Sequence, residues 1–495
     1  MVSFLLLLAV PLILILYFQT HKTKPSKNNH PPGPPGLPFI GNLHQFDGIF
    51  PHKYLHTLSK QYGPILSLKL GFRRVIVVSS ADVVKEIMKS HDVVFSNRPV
   101  LVSLQRLSYN GLDIAFSPYN ESWREMRKIA TIHLFSPKQA QSFRPICRDE
   151  VSKMIGKIEQ DASLSRVTNF SEIVTSLASN TICRMAFGKI YGDDGYGKNR
   201  FFDLLHETQT VMGAFFVRDY LPLFGFIDKF SGMNARLERN CKDLDDFYEE
   251  LISEHLDPNR HKDMKGDIID LLLELQKSGS SFDLTMDHIK ALLMNIITGG
   301  TDTSSAVLVW ALTALMNNPS IMKKVQSEIR QFAENKDLIE EDDIAKLPYF
   351  RAVIKETFRL YLPAPLLVPR ETTQKCTIHG YEIEPGTMVY LNAWAIARDP
   401  EAWENPNEFL PERFLDSEID VRGRDPQVIP FGIGRRGCPG VAIGMAEVEV
   451  ALANAVYKFD WELPHGVKLV DFDVNPGMTM HKKNPLCLVP KLVVA

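Results

Sequence analysis

Residues 431–440 read Phe-Gly-Ile-Gly-Arg-Arg-Gly-Cys-Pro-Gly, and a helical pattern follows them over residues 441–459. This stretch is the most informative segment of the sequence. Cys438 lies at the predicted start of that helix, where unpaired N–H groups and the helix dipole favour a thiolate. A thiolate is a strong metal ligand. The bland alternative for any lone cysteine is a small buried side chain in a loop.

The residues around Cys438 indicate what such a thiolate would bind. Three positions carry no side chain, so a flat group can approach the backbone closely; they are Gly434, Gly437 and Gly440. Arg436 can pair with a carboxylate on that group, and Phe431 can pack against a ring. One cysteine among glycines and an arginine suits a large planar anionic cofactor with one open metal position. Haem fits that description.

Composition places the chain among ordinary globular proteins. Of its 495 residues 45% are hydrophobic and 23% charged, which excludes wholesale disorder. The formal net charge of −3 argues against nucleic-acid binding. The six cysteines are scattered without a Cys-x-x-Cys pair, so neither a disulfide framework nor a zinc finger is predicted, and a reducing compartment is expected.

The amino terminus predicts a membrane anchor. Residues 2–18 form an uncharged apolar run long enough to contact the lipid bilayer as a short helix, and Lys22, Lys24 and Lys27 follow at once. This charge placement predicts a single-pass transmembrane anchor over residues 1–20 with the remaining chain in the cytosol. A cleaved signal peptide is the alternative, but the usual basic residues before the apolar run are missing.

The rest of the chain divides into a linker and one large body. Residues 21–42 contain lysines and then a dense run of prolines, which predicts a stiff extended spacer. Residues 43–495 show no repeat and no second linker. Their pattern predicts a mainly α body with a small β portion: a hairpin over 65–70 and 74–79, a helix over 81–90, largely helical structure over 118–361, and short strands over 372–390.

Residues 289–316 predict one long apolar helix. It could be a second membrane span, but Asp302 in its middle is costly in lipid, so a buried central helix is favoured. Gly299 and Gly300 each cost about 1 kcal/mol against alanine in a helix, and close approach of a ligand would explain them. The Thr303 hydroxyl beside the Asp302 carboxyl can relay protons to that notch. Hydroxyl bonding to the preceding helical turn is the alternative.

The ten-residue segment 431–440 matches Phe-x-x-Gly-x-Arg-x-Cys-x-Gly at every fixed position. The chain thereby resembles the cytochrome P-450 haem-thiolate monooxygenases, plant microsomal type, over essentially its whole length. The resemblance implies that fold, haem b with Cys438 as axial iron ligand, and O2 as co-substrate. Residues 299–304 resemble the family's oxygen-side signature, with Gly300 in the notch, Asp302 as the acidic relay and Thr303 as the alcohol.

Two further groups of residues match the family by position. Glu356 and Arg359 resemble its buried Glu-x-x-Arg pair, with Arg413 as the downstream partner and a scaffolding role. On the residues alone, an exposed helical pair is the alternative. Four residues resemble those that bind the haem carboxylates: Trp123, Arg127, Arg370 and Arg436.

The family resemblance also implies partners. No Gly-x-Gly-x-x-Gly fingerprint is present, so electrons are expected from NADPH through a partner reductase on the same endoplasmic reticulum membrane. A basic docking face for it is predicted from five residues: Arg124, Lys128, Arg422, Arg424 and Arg435. A solvated basic rim is the alternative.

The expected substrate is a small lipophilic molecule of plant specialised metabolism, an aldoxime, phenolic or terpenoid. Candidate pocket walls are the segment after Arg98 and residues 211–216, 298–299, 364–368 and 478–480. Two other functions stay open. One is a haem-thiolate isomerase or dehydratase that needs neither O2 nor reductase, and the other is a non-catalytic, membrane-tethered haem sensor.

Overall fold

The computed structural model describes residues 29–190, 195–260, 266–279, 282–334 and 336–493. The predicted anchor and the first part of the predicted linker, residues 1–28, lie outside the described residues. The helices are α1 Pro51–Tyr62, α2 Ala81–Glu86, α3 Val102–Leu107, α4 Glu121–Ile129, α5 Pro137–Ser163, α6 Phe170–Phe187, α7 Gly195–Met212, α8 Val217–Tyr220, α9 Phe226–Phe230, α10 Met233–Leu256, α11 Ile268–Lys277, α12 Met286–Asn317, α13 Pro319–Phe332, α14 Glu341–Ile344, α15 Pro348–Leu360, α16 Ala393–Ile396 and α17 Val441–Lys458.

Eleven short strands accompany these helices in the described part of the chain. They are β1 Ile65–Leu70, β2 Arg73–Val78, β3 Thr168–Asn169, β4 Arg370–Glu371, β5 Cys376–Ile378, β6 Tyr381–Ile383, β7 Met388–Leu391, β8 Phe459–Glu462, β9 Val474–Asn475, β10 His481–Lys482 and β11 Cys487–Leu492. One sheet has the order β1-β2-β7-β4, with β2 parallel to β7, and another the order β3-β11-β8. The predicted hairpin and the mainly α architecture with a small β portion are confirmed.

The central helix α12 is built from one apolar run and a firm start. The Thr285 side chain accepts a hydrogen bond from the backbone of His288, whose ring in turn accepts one from the Thr285 backbone. Its second half packs into a large core together with α6, α15 and α17, and most of its side chains are buried. Burial inside the body confirms the prediction of a core helix.

No single helix in the described segments is long and apolar enough to cross a bilayer. Two sharply bent pairs pass the same test of length and composition, namely Arg200–Tyr220 with Pro222–Phe230 and Met286–Asn317 with Pro319–Phe332. The second pair contains α12, whose apolar side chains already pack against other helices.

One sequence prediction needs correction. The helix expected over residues 81–90 is α-helical only over Ala81–Glu86 and continues as a π-helical turn, Ile87–His91. The second half of the predicted spacer packs against β1: the Pro32 carbonyl accepts a hydrogen bond from Ser67 N at 2.7 Å. A Cβ at Gly33 would lie 1.9 Å from the Ser67 carbonyl oxygen, so only glycine permits this contact.

Candidate active site

The loop before α17 is a compact turn that presents Cys438. Its amide donates to the Phe431 carbonyl at 2.8 Å, and Gly437 N donates to the Gly434 carbonyl at 2.9 Å. Phe431 packs on Phe358 of α15, with ring centroids 5.0 Å apart. A Cβ at Gly440 would lie 4.0 Å from the Cys438 sulfur, an ordinary contact. The loop is therefore fixed by its own backbone and by one aromatic contact.

Gly434 allows close packing within the fold, a role that stands beside its predicted place in the cofactor loop. Its φ is +69°, and a Cβ there would lie 2.6 Å from the Asp92 carboxylate and 2.7 Å from the Met88 sulfur. Asp92 also accepts from the Arg435 backbone amide at 3.3 Å. The glycine thus lets the π-helical turn at residues 87–91 approach the cysteine loop.

The Cys438 thiol faces a space enclosed by protein. Its side chain is exposed, yet burial among protein atoms raises the pKa of the thiol, a rise that the Gly440 N–H and the Arg127 charge oppose. The N–H groups at the helix start favour the thiolate as expected, but desolvation outweighs them. A directly bound cation deprotonates a coordinating thiol outright, so this sulfur suits a metal ligand better than a free nucleophile.

Arg436 and Trp123 meet beside this space. The Arg436 guanidinium lies 4.1 Å from the Trp123 ring centroid and donates to the carbonyls of Ser96, Ile114 and Ser117 at 2.7–3.2 Å. Trp123 Nε1 donates to the same Ile114 carbonyl at 3.0 Å. Burial lowers the pKa of Arg436 to about 9. Three of its five N–H groups are used, which leaves two for a ligand.

Arg127 and Arg370 hold the cysteine loop from two sides. Arg127 Nη2 donates to the Gly437 carbonyl at 2.6 Å, and Arg370 Nη2 donates to the Ile433 carbonyl at 2.5 Å. Arg370 is 3% exposed, and its Nη1 is buried without a hydrogen-bond partner. The Asp92 carboxylate lies 3.7 Å from this nitrogen, too far for a hydrogen bond, so Nη1 can still donate one to an anionic ligand.

Arg98 completes the cluster and was missed as a binding residue by sequence reasoning. It is buried and donates to the carbonyls of Ala115, Val368 and Pro369. Its pKa is lowered by burial and then by the charges of Arg436 and Arg370. The only signal for it in the sequence was its own position before Pro99, because its partners are distant in sequence. Asp113 and Asp92 offset only part of the positive charge of these three guanidinium groups, and the carboxylates of haem fit the remainder.

The oxygen-side residues on α12 face different directions. Thr303 Oγ1 donates to the Gly299 carbonyl at 2.7 Å, and Asp302 Oδ1 lies 2.7 Å from His481 Nε2. Burial raises the pKa of Asp302, but the hydrogen bond and charge of His481 outweigh it, with smaller contributions from neighbouring donors, so the net shift is downward. The Thr303 hydroxyl is therefore hydrogen-bonded to the preceding turn of its own helix, as in the alternative given for it above.

The two glycines of α12 have separate roles. A Cβ at Gly299 meets nothing within 4 Å, whereas one at Gly300 would lie 2.7 Å from Ile182 Cδ1. Gly300 lets α6 pack against α12, a role that stands beside its predicted place in the notch. The open side of the notch belongs to Gly299.

The predicted ion-pair network is present, with Glu356 and Arg359 fully buried and Arg413 at its edge. Arg359 Nε lies 2.7 Å from Glu356 Oε2, and Arg413 Nε lies 3.2 Å from Glu356 Oε1. The remaining Arg359 donors reach Glu356 Oε1 and the carbonyls of Ala397, Pro406 and Glu408. All five N–H groups of Arg359 therefore have acceptors.

Most predicted pocket walls converge on one apolar cluster. It contains Leu104 and Phe116 from the segment after Arg98, and Val211 and Phe216, with Val368 and Met478 packed against it. On α12 the cluster contains Ile297, and the predicted Thr298 and Gly299 are not among its members. Leu366 and Leu367 instead pack on the hairpin and on the sheet, so only the end of the 364–368 wall reaches the cluster.

Residues 31–489 match the family model for cytochrome P450. The chain belongs to the cytochrome P450 family. This P450 is 48% identical to 6,7,8-trihydroxycoumarin synthase of Pastinaca sativa, with 98% of each chain covered. It is 44% identical to strychnine-11-hydroxylase of Strychnos nux-vomica, covering 98% of this chain and 97% of that one.

A similar solved structure is a zebrafish cytochrome P450 with progesterone. Its TM-score is 0.77 at 25% identity, with 89% of this chain and 99% of that chain covered. Since the curated plant relatives are named synthases and hydroxylases, this P450 is a monooxygenase, with haem b and O2 as the family's cofactor and co-substrate. The predicted family, fold and enzyme class are confirmed.

Proposed function

We propose that this P450 hydroxylates a small lipophilic phenolic of plant specialised metabolism, with electrons from NADPH through a partner reductase. The observation that carries the substrate class is the 48% identity over nearly the whole length to a trihydroxycoumarin synthase. The buried apolar cluster, which includes Ile297 two residues before Gly299, supports a lipophilic substrate. An aldoxime or terpenoid is the remaining choice within the predicted class.

The chain's own residues divide the work of the reaction. Haem, when bound, supplies the thiolate-ligated iron chemistry that cleaves dioxygen and transfers one oxygen atom. Cys438 would ligate the iron, and Arg370 with the neighbouring guanidinium groups would bind the carboxylates. Thr303 holds a proton at Oγ1 beside the notch, and Asp302 moves protons toward it. The apolar walls orient the substrate and exclude water.

The predicted docking face is supported by exposure around the cysteine loop. Lys128, Arg424 and Arg435 have 62%, 85% and 51% of their side chains exposed. Arg422 and Arg424 line a cleft of about 380 Å³ together with Pro439, next to Cys438. An acidic reductase docked here would lie on the cysteine side of the site. Arg424→Glu with Lys128→Glu should slow reductase-driven turnover and weaken its salt dependence.

An apolar surface supports membrane attachment at the endoplasmic reticulum, with residues 1–20 as anchor. Leu223 and Phe230 are 78% and 85% exposed, and Phe226 lies between them in sequence. Phe72 N donates to the Tyr220 carbonyl, which joins this surface to the turn after β1. Large exposed apolar surfaces mark interaction sites. The apolar residues lie at the end of the body where the described chain begins to pack on β1.

The decisive experiment combines the protein with a plant reductase, NADPH and panels of coumarins, aldoximes and terpenoids. Its first readout is the absorption band of the reduced, carbon-monoxide-bound form, which reports thiolate ligation. The second is product formation. Cys438→Ser is expected to lose both. Turnover without NADPH would instead favour an isomerase or dehydratase, and haem binding without any turnover would favour a sensor.

A further inference from the structure

His481 lies beside the acidic residue of the oxygen-side pair, Asp302. It begins β10, and its Nε2 lies 2.7 Å from Asp302 Oδ1 on α12. The Asp302 side chain is 14% exposed, whereas that of His481 is 36% exposed. The pair therefore connects a mostly buried carboxylate to an imidazole that reaches solvent.

The backbone around His481 is held from two sides. Met480 N donates to the Pro363 carbonyl at 2.8 Å, and the Met480 carbonyl accepts from Trp310 Nε1 of α12 at 2.7 Å. β10 also pairs with β9, with His481 opposite Asn475. Since these bonds fix the segment against the same helix that carries Asp302, the contact between the two side chains is positioned by the fold.

Asp302 and Thr303 are neighbours on α12, about 100° apart around the helix axis. Thr303 bonds to the Gly299 carbonyl, whereas Asp302 turns toward β10. A proton that reaches the notch through Asp302 must therefore come from the side of the β9–β10 hairpin.

Three side chains on packed elements contribute to the downward shift of the Asp302 pKa. They are the Gln209 amide on α7, the Thr479 hydroxyl before β10, and His481. Only His481 of these three is ionisable. The adjacent Lys482 is engaged with Asp471 at 2.6 Å.

We propose that His481 is the outer proton station of the oxygen-side relay: it positions Asp302 and passes protons to it from solvent. In each transfer the Nε2–H bond of the imidazolium breaks as an Oδ1–H bond forms on Asp302, which leaves the neutral Nδ1–H ring, and a hydronium ion from solvent then restores the Nε2–H bond. This inference rests on the proposed monooxygenase function and deepens it. His481 is a positioning and proton-transfer residue outside the pocket.

The test uses His481→Asn in the full-length enzyme with reductase. The asparagine amide can donate a hydrogen bond but has no titratable proton to transfer. We expect about tenfold less product per NADPH consumed, a modest share of the range for acid–base groups. Turnover supported by hydrogen peroxide, which brings its own protons, should stay within about twofold of wild type. The exposed His465→Asn is the matched control and should change neither value.

Two further measurements separate this role from a folding defect. Hydrogen exchange of residues 474–483 should match wild type in His481→Asn, because the hydrogen bond is kept. Asp302→Asn combined with His481→Asn should be no worse than Asp302→Asn alone, since both act on one route. Where the asparagine variant lacks the thiolate band, His481→Gln takes its place.

Wild-type coupling in His481→Asn would overturn the inference and leave the proposed function intact. Additive losses in the double variant would also overturn it, because they would place His481 on a separate route. By contrast, a wild-type protein without the thiolate band or without any NADPH-driven product would overturn the proposed function itself.

Discussion

Replacing Glu356 by glutamine tests whether the buried ion pairs support the fold. The side chain is fully buried, and its Oε1 accepts from Arg359 Nη2, Leu410 N and Arg413 Nε, while Oε2 accepts from Arg359 Nε. A glutamine oxygen can replace Oε1. Its NH2 group then faces the Arg359 Nε–H, so two donors meet and two buried guanidinium groups lose their counter-charge.

The size of the effect follows from these contacts. Breaking a buried ion pair by removing one partner costs about 3–5 kcal/mol. With about 2.1 cal/mol/K of unfolding entropy per residue, a chain of 495 residues has about 1 kcal/mol/K. Glu356→Gln should therefore lower the Tm by about 3–5 °C. Differential scanning calorimetry at neutral pH measures this shift, and the thiolate band per mole of protein measures the site.

Glu238→Gln provides a matched control. Glu238 also forms a two-point contact with an arginine, Arg106, but the two side chains are 55% and 41% exposed. Exposed pairs contribute about 0–1 kcal/mol, so its Tm should stay within about 1 °C of wild type. If Glu356→Gln melted like this control and kept its full thiolate band, the argument that burial makes the network essential would be refuted.

Gly299→Ala should stabilise α12 by about 1 kcal/mol. Gly300→Ala should lower the free energy of unfolding by about 1–3 kcal/mol, because its methyl group meets Ile182, and adding Ile182→Ala should restore that loss. Calorimetry can show both effects. Arg370→Leu should speed haem transfer to a haem acceptor about 10–100-fold, since a charge-assisted hydrogen bond is worth about 1.5–3 kcal/mol; an unchanged rate would remove Arg370 from the site. Burial lowers the pKa of His52 to about 4, so between pH 6.5 and 4 the unfolded state binds a proton that the folded state does not. The free energy of unfolding should therefore fall by about 3 kcal/mol over this range. His52→Leu should reduce this loss, which a series of Tm measurements against pH can show.

The sequence predicted best those features that depend on local pattern. The loop that ends at Cys438, the central helix and the first hairpin each follow from the spacing of glycines and apolar residues within one segment. The pairing of Glu356 with Arg413 came from family resemblance, because no local pattern joins residues 57 positions apart. The structure supplies the reason why it matters, namely the complete burial of both Glu356 and Arg359.

Features that depend on distant neighbours were beyond the sequence. The need for glycine at position 300 arises from Ile182 on another helix, and the need at position 434 arises from Asp92. Arg98 joins the binding cluster only because the chain brings it beside Arg370. The pKa of Cys438 likewise depends on desolvation, which no motif encodes.

The arginine cluster shows how fold and cofactor site share free energy. Arg98, Arg370 and Arg436 are each at most 8% exposed, and the pKa values of all three are lowered chiefly by burial. Asp113, buried beside them, has a pKa raised to about 6, so it is a carboxylate at neutral pH but offsets only part of the positive charge. A dianionic ligand here relieves repulsion that the folded chain would otherwise bear. Because such a ligand binds the native state alone, its affinity adds directly to stability, and variants of this cluster should weaken haem retention and thermal stability together.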